Sequence, residues 1–226
     1  MNPVREAVPT AVLVSGNGTN LQSVIEDVRA GIVPLELRLV VSNNPQAFAI
    51  ERARRAGIAV ELMPFDRSAQ TRSGYARALA DLLKARGIRL VLLLGWMHVL
   101  ASEFLDAGFD GVLNLHPAYL PDDPSDDTVT LPDGTRSPVF RGAHALRDAL
   151  AAKLPMTGAT LMQITAAVDR GPVVARRACP LNAHDDEAAA LERLHAVERE
   201  VVREGVQAWL AQHPECSVPS EARKNS

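Results

Sequence analysis

Apolar residues in this chain fall into blocks whose period changes along the sequence. TAVLV at 10–14 is a short, β-branched run, which reads as a strand. SGNGTN at 15–20 follows it, after which Leu21, Val24, Ile25 and Val28 recur at helical spacing. LELRLVVS at 35–42 predicts a second strand. Pro45 marks the start of a helix running to Ala56, with Gly57 as its stop. IAVEL at 58–62 predicts a third strand, and residues 71–86 a third helix, closed by Gly87, with Leu79, Leu82 and Leu83 inward. RLVLLL at 89–94 is apolar throughout, as expected of a strand covered on both faces, and GVLNLHP at 111–117 gives the next strand.

The second half has a different texture. Residues 122–138 (DDPSDDTVTLPDGTRSP) are rich in Asp, Pro, Ser and Thr. With only Val129 and Leu131 as large apolar side chains, they predict a mobile surface loop with a Pro-Asp-Gly turn at 132–134. Lying between candidate site segments, this loop is expected to modulate access or substrate choice, not the chemical step itself. TGATLMQITAAV at 157–168 and PVVARRACPL at 172–181 predict two strands linked by Asp-Arg-Gly. From Asp185 to about Gln212 runs a long helix with an acidic start and a stripe of Leu191, Leu194, Val197, Val201 and Trp209. The tail after Pro214 reads as frayed. Strands alternating with helices imply an α/β fold: a mostly parallel twisted sheet, helices on both faces, right-handed crossovers. Ligands then belong beyond the carboxyl ends of the strands, at 15–20, 95–100 and 114–117.

Composition narrows the function classes. The 226 residues suit one domain, and 47% hydrophobic with 23% charged residues suffice for a sizeable core. A net charge of −3 offers no basic surface for a polynucleotide. Cys179 and Cys216 form no Cys-x-x-Cys pair, so neither a zinc site nor a disulfide framework is indicated. No signal peptide is legible, and no apolar stretch reaches the ~18 residues of a membrane span. The expectation is a cytoplasmic protein without a metal.

Three places carry candidate chemistry. SGNGTN, at a strand-to-helix turn, suits a phosphate on an unpaired helix N-terminus; its plainer reading is a tight turn with Thr19 or Asn20 as cap. Asn114 and His116 are two apart in an apolar strand and so share a face. A carboxamide that donates to an oxyanion and an imidazole that moves a proton suit acyl-type transfer. A lone strand histidine is otherwise a hydrogen-bonded core residue. Asp169 is either a turn residue or a carboxylate that orients His116 and favours its charged form. His144 reads as ligand-facing or as a solvated helix start. His98, His184, His195 and His213 lack metal-ligand spacing and read as solvated or packed. No Gly-x-Ser-x-Gly or His-Glu-x-x-His motif is present.

Taken in order, SGNGTNLQ (15–22), VVSNNPQAFAIERARRAGI (40–58), LLGWMHVL (93–100), NLHPAYLP (114–121) and TGATLMQITAAVDRGPVV (157–174) resemble the phosphoribosylglycinamide formyltransferases, within the folate-dependent formyltransferases. The resemblance covers about residues 10–210. It implies a Rossmann-like formyltransferase fold with one domain at 10–212, between a disordered start at 1–9 and a tail at 213–226. Residues 10–108 would form a phosphate-binding half and 109–212 a folate-binding half. The implied reaction transfers a formyl group from 10-formyltetrahydrofolate, as co-substrate, to the amine of 5-phosphoribosylglycinamide in purine biosynthesis. Asn114, His116 and Asp169 would be catalytic; Gly18, Thr19 and Asn20 would hold the substrate phosphate; Met97 and Glu198 would line the ribose and glycinamide pocket. Arg72, Met97, His98, Val99, Leu100, Thr165 and Asp169 would contact the folate. Partners would be small molecules, with neither nucleic acid nor membrane, for a monomer or homodimer. The alternatives are a related formyltransferase with another acceptor, such as an amino sugar nucleotide, or a catalytically weak folate- or nucleotide-binding homologue. The chain departs from the family pattern at His98, usually Arg, and in the extra residues 122–138 before Phe140-Arg141-Gly142, where relatives run directly to an aromatic-Pro-Gly.

Overall fold

A computed structural model describes residues 6–217 of the chain. β1 (Val8–Val14) leads into α1 (Thr19–Arg29), β2 (Leu35–Ser42) into α2 (Ala49–Arg55), β3 (Ala59–Leu62) into α3 (Arg72–Ala85), and β4 (Leu90–Leu93) into the single turn α4 (Ser102–Leu105). After β5 (Gly111–His116) come two short strands, β6 (Thr128–Thr130) and β7 (Arg136–Pro138). Then follow α5 (Ala145–Ala151), β8 (Met156–Gln163), β9 (Val173–Pro180) and the long α6 (Glu187–Gln212).

Seven strands form one sheet in the order β3-β2-β1-β4-β5-β8-β9. The first five are parallel, and β8 and β9 add antiparallel. The two faces follow from the period of two along each strand. Val12 and Val14 of β1, with Leu90 and Leu92 of β4, join a core containing Leu21, Val24 and Ile25 of α1 and Val201 and Trp209 of α6. Ala11 and Leu13, with Val91 and Leu93, join the opposite core with Leu79 and Leu83 of α3 and Phe104 of α4. The apolar run at 89–94 is therefore double-faced, as its pattern predicts. Leu13 is fully buried, so truncating it to Ala would cost ~2–5 kcal/mol.

Caps set the helix limits. Thr71 Oγ1 accepts from Gly74 N at 3.0 Å and starts α3. Asp186 Oδ1 accepts from Ala189 N at 2.8 Å and starts α6. Further along, α6 is tied to α1 by Arg203, whose guanidinium meets both oxygens of the buried Asp27 at 2.7 and 3.1 Å.

Several expectations shift. β1 begins at Val8, inside the stretch expected to be disordered; the rest of that expectation, residues 1–5, lies outside the described residues, as do 218–226 of the expected tail. α2 begins at Ala49 because Asn44 first makes a turn, its side chain accepting from Gln46 N at 3.0 Å and its carbonyl from Ala47 N at 3.1 Å. β8 stops at Gln163, five residues before the predicted end. Past α6, Pro214–Ser217 is a short 3-10 helix rather than a frayed end: Cys216 is buried and its carbonyl accepts from Arg89 at 2.7 Å.

The largest correction concerns residues 122–138. They form a hairpin, with Thr128 opposite Pro138 and Thr130 opposite Arg136. The expected Pro-Asp-Gly turn closes it, Gly134 N donating to Leu131 O at 2.9 Å. Val129 and Leu131, two apart, fall on one face and are only 7% and 4% exposed. Two apolar side chains at strand spacing thus bury enough surface to seat a segment that its composition marks as mobile.

Candidate active site

A cleft of about 580 Å³ opens beyond the carboxyl ends of β1, β4 and β5. It lies where the strand order reverses, with β2 on one side of β1 and β4 on the other. Met97 N donates to Ser15 Oγ at 3.0 Å, which joins the loop after β4 to the loop after β1.

The first wall is the turn at 16–20. Gly18 sits at φ 73°, and a Cβ there would lie 2.6 Å from Ala49 Cβ, so no other residue fits. α1 begins without a side-chain cap, which leaves the first-turn N–H groups without partners inside the helix. The turn is held from behind: Arg52 Nε donates to Asn17 O at 2.9 Å and Ala49 N to Gly16 O at 3.2 Å. Asn20 faces α6, its amide donating to Glu198 Oε2 at 2.8 Å, while Asn20 Oδ1 is buried without a partner among the described residues. Burial pushes the Glu198 carboxyl up to about 7, against the opposing pull of the Asn20 hydrogen bond. His195, one turn earlier on α6, also lines the cleft; burial, then Arg199, holds its pKa below the ordinary value.

The second wall is the cluster around Asp169. β5 carries Asn114 and His116 on one face, and Asp169 arrives from the loop after β8. Asn114 Nδ2 is 3.5 Å from Asp169 Oδ1, and His116 Nδ1 is 3.5 Å from Asp169 Oδ2. His116 and Asp169 are almost buried. The other ring nitrogen, Nε2, is 2.8 Å from Phe140 O. Both ring nitrogens thus face oxygen atoms. Asp169 itself is at φ 51°, the left-handed region that a non-glycine residue enters only at a cost. Gly171, two residues on, packs so closely on the Gln163 carbonyl that any Cβ would collide with it.

The rim is apolar. Met97, Val99, Val168 and Leu191 are 61%, 59%, 50% and 39% exposed, and all four line this cleft. Exposed apolar side chains gathered at one mouth suit a flat, largely apolar ligand. His98 is packed among Phe65, Tyr75 and Trp96, with ring centroids 5.8, 6.3 and 5.9 Å away. Burial, then Arg67 and Arg72, disfavours its charged form.

Of the residues singled out in the sequence, Gly18, Thr19, Asn20, Met97, His98, Val99, Leu100, Asn114, His116, Thr165, Asp169 and Glu198 all line this one cleft. Arg72 does not. It lines an adjoining hollow of about 210 Å³ that shares Met97–Leu100 with the cleft. His144 is exposed at the start of α5 and lines neither. Sequence reasoning passed over His195 and placed Phe140, Arg141 and Gly142 beside the site without a role; they meet the cluster largely through backbone atoms that no side-chain motif encodes.

A sheet of this topology, with an Asn-x-His strand and an aspartate clustered on one wall of an open cleft, agrees with the comparisons to known proteins. Residues 9–130 and 134–206 match the formyl transferase family, and the chain belongs to that family. Within it, the chain is 31% identical over 210 residues to the phosphoribosylglycinamide formyltransferase of Schizosaccharomyces pombe, covering 86% of this chain and 93% of that protein. It is 32% identical over 190 residues to the trifunctional purine biosynthetic protein adenosine-3 of Drosophila melanogaster, where it spans 13% of that protein's length. The crystal structure of glycinamide ribonucleotide transformylase 1 from Symbiobacterium toebii superposes with a TM-score of 0.76 at 33% identity, covering 88% of this chain and 86% of that one.

Proposed function

We propose that this protein transfers the formyl group of 10-formyltetrahydrofolate to the amine of 5-phosphoribosylglycinamide, a step of de novo purine biosynthesis. The observation that carries the reading is the meeting of Asn114, His116 and Asp169 in the same cleft as an uncapped, glycine-started helix N-terminus. One half suits acyl transfer and the other an anionic substrate. The similarity to enzymes bearing this name supports the choice of acceptor.

In this reading the substrate phosphate docks on the N–H groups of residues 18–20, and Met97 and Glu198 line the ribose and glycinamide. Main-chain groups of Met97, His98, Val99 and Leu100, with Thr165 to Asp169, take the pterin against the apolar rim. Arg72, from the adjoining hollow, contacts the far part of the folate. The folate supplies an electrophilic formyl carbon. Asn114 Nδ2 donates to the negative charge that develops on the formyl oxygen as the amine attacks, and His116 donates beside it. Asp169 keeps the ring oriented; as the new amide bond forms, the formyl C–N10 bond of the folate would break, and the proton the amine loses would pass through Asp169 and His116 to N10, which leaves as an amine. The 3.5 Å contacts within the cluster are long, and substrate groups can replace them with shorter ones. The reaction belongs in the cytoplasm, with small molecules as partners and the chain acting as a monomer or homodimer.

The test is a formyl-transfer assay, read by mass spectrometry, with 10-formyltetrahydrofolate and a panel of acceptors that includes phosphoribosylglycinamide and amino sugar nucleotides. Formylated phosphoribosylglycinamide as the main product is expected. Transfer to another amine, or none at all, would reject the assignment.

A further inference from the structure

Three consecutive residues in no helix or strand touch both ionisable side chains of the cluster. Phe140 O is 2.8 Å from His116 Nε2, Arg141 Nε donates to Asp169 O at 3.2 Å, and Gly142 N donates to Asp169 Oδ2 at 2.8 Å. Such a segment can set geometry only if something else holds it, because ordering free chain costs backbone entropy.

What holds it is the base of the β6–β7 hairpin. The Arg141 guanidinium donates to Asp127 Oδ1 at 3.0 Å and to Asp126 O at 2.7 Å. Arg170, immediately after Asp169, donates to the same Asp127 oxygen at 2.5 Å and to Pro124 O at 2.9 Å. Asp127 O in turn accepts from Val139 N at 3.0 Å, which closes the hairpin. One carboxylate therefore gathers the arginine that precedes Gly142 and the arginine that follows Asp169. An isolated surface ion pair would be worth little. Here the Arg141 side chain is only 15% exposed and spends three kinds of donor on fixed acceptors, including the backbone of a residue at positive φ. Left-handed non-glycine residues persist where their surroundings over-determine them.

We infer that Asp127 and Arg141 are positioning residues, and that the hairpin is a clamp that sets the Asp169 carboxylate and, through Phe140, the His116 ring. The kinetic part of this inference rests on the proposed formyl transfer; the geometric part does not. Neither residue touches substrate in this scheme.

The full-length protein is compared with Asp127→Ala, Arg141→Gln and the double variant, with Asp133→Ala, at the hairpin turn, as a control from the same segment. We expect kcat to fall about 10- to 100-fold in the clamp variants, with KM for the phosphorylated amine within about twofold. The double variant should lose less than the product of the two single losses, because the Arg141–Asp127 contact is shared, yet more than Arg141→Gln alone, because Asp127 also holds Arg170. In parallel, 15N NMR of the His116 imidazole, without substrate, should show changed ring signals in Asp127→Ala and unchanged ones in Asp133→Ala. If the wild type formylates nothing, the function reading fails and the ring signals still decide the clamp. If Arg141→Gln does not fold, Asp127→Ala decides, since its side chain is 76% exposed and its loss leaves no cavity. Unchanged ring signals in a folded Asp127→Ala, or a kcat loss equalled by Asp133→Ala, would overturn the inference.

Discussion

Glu198→Gln should make the protein more stable, and increasingly so as pH rises. Glu198 is 6% exposed, and among the described residues its carboxylate accepts from Asn20 at 2.8 Å. Burial lifts its carboxyl from the ordinary 4.5 to about 7. Between those values the folded protein keeps a proton that the unfolded chain has released. The contribution to stability is therefore complete below about pH 4.5 and is lost as pH rises through about 7. At about 1.36 kcal/mol per pH unit, the full loss is about 3 kcal/mol. Gln has the same shape, can still accept from Asn20 Nδ2, and never charges. Urea unfolding of both proteins, measured in parallel from about pH 5 to 8.5, isolates position 198, because every other titrating group is shared. The difference in unfolding free energy should start small at the acid end and grow to about 3 kcal/mol at the alkaline end. A difference that stays flat with pH would refute the reasoning and show that Glu198 is hydrated or paired in solution.

Other outcomes follow from the cleft. Asn114→Ala should fold normally and lose about two to three orders of magnitude in kcat, the usual cost of one oxyanion donor; near-normal turnover would count against that role. Gly18→Ala forces a side chain into φ 73° and against Ala49 at 2.6 Å. The left-handed backbone alone costs ~1–2 kcal/mol, so the melting temperature should fall and KM for the phosphorylated amine should rise; a wild-type KM would exclude the turn from phosphate binding. His195 should titrate below 6.5 in the free protein and move upward when a phosphorylated ligand enters the cleft. An NMR titration at or above 6.5 without ligand would contradict its buried setting.

The strands were legible wherever one rule acted alone. β2 runs over the residues its apolar pattern marks, and α3 starts after Thr71 because a threonine cap and a closing glycine leave little choice. Asn114 and His116 were legible because a period of two places them together and a buried carboxamide needs a partner. Competing rules hid the rest. At Asn44-Pro45 a side-chain turn outcompetes the helix that proline would start. At 122–138 a polar composition conceals Val129 and Leu131, whose spacing matters more than their number. The backing of His116 and Asp169 was illegible for a different reason: Phe140 and Gly142 act through a carbonyl and an N–H, which every such residue possesses. Arg141 was visible only as a departure from the family pattern, with nothing in the sequence to say which oxygen it would meet.

The hydrogen bond between Asn20 and Glu198 joins residues 178 positions apart. The parallel strands that precede the hairpin can pair in the order in which they leave the ribosome, each next to a neighbour already made. The ligand cleft cannot close in that way, because one of its walls is α6, which is made after every strand of the sheet. Ligand binding thus reports a late docking event of folding, and long-range closures of this kind are slow relative to local ones. A chain that ends before α6 would leave Ala159 and Leu161 of β8, and the side of α1 that meets α6, open to water. Such a product would be a substrate for chaperones and proteases instead of a sluggish enzyme.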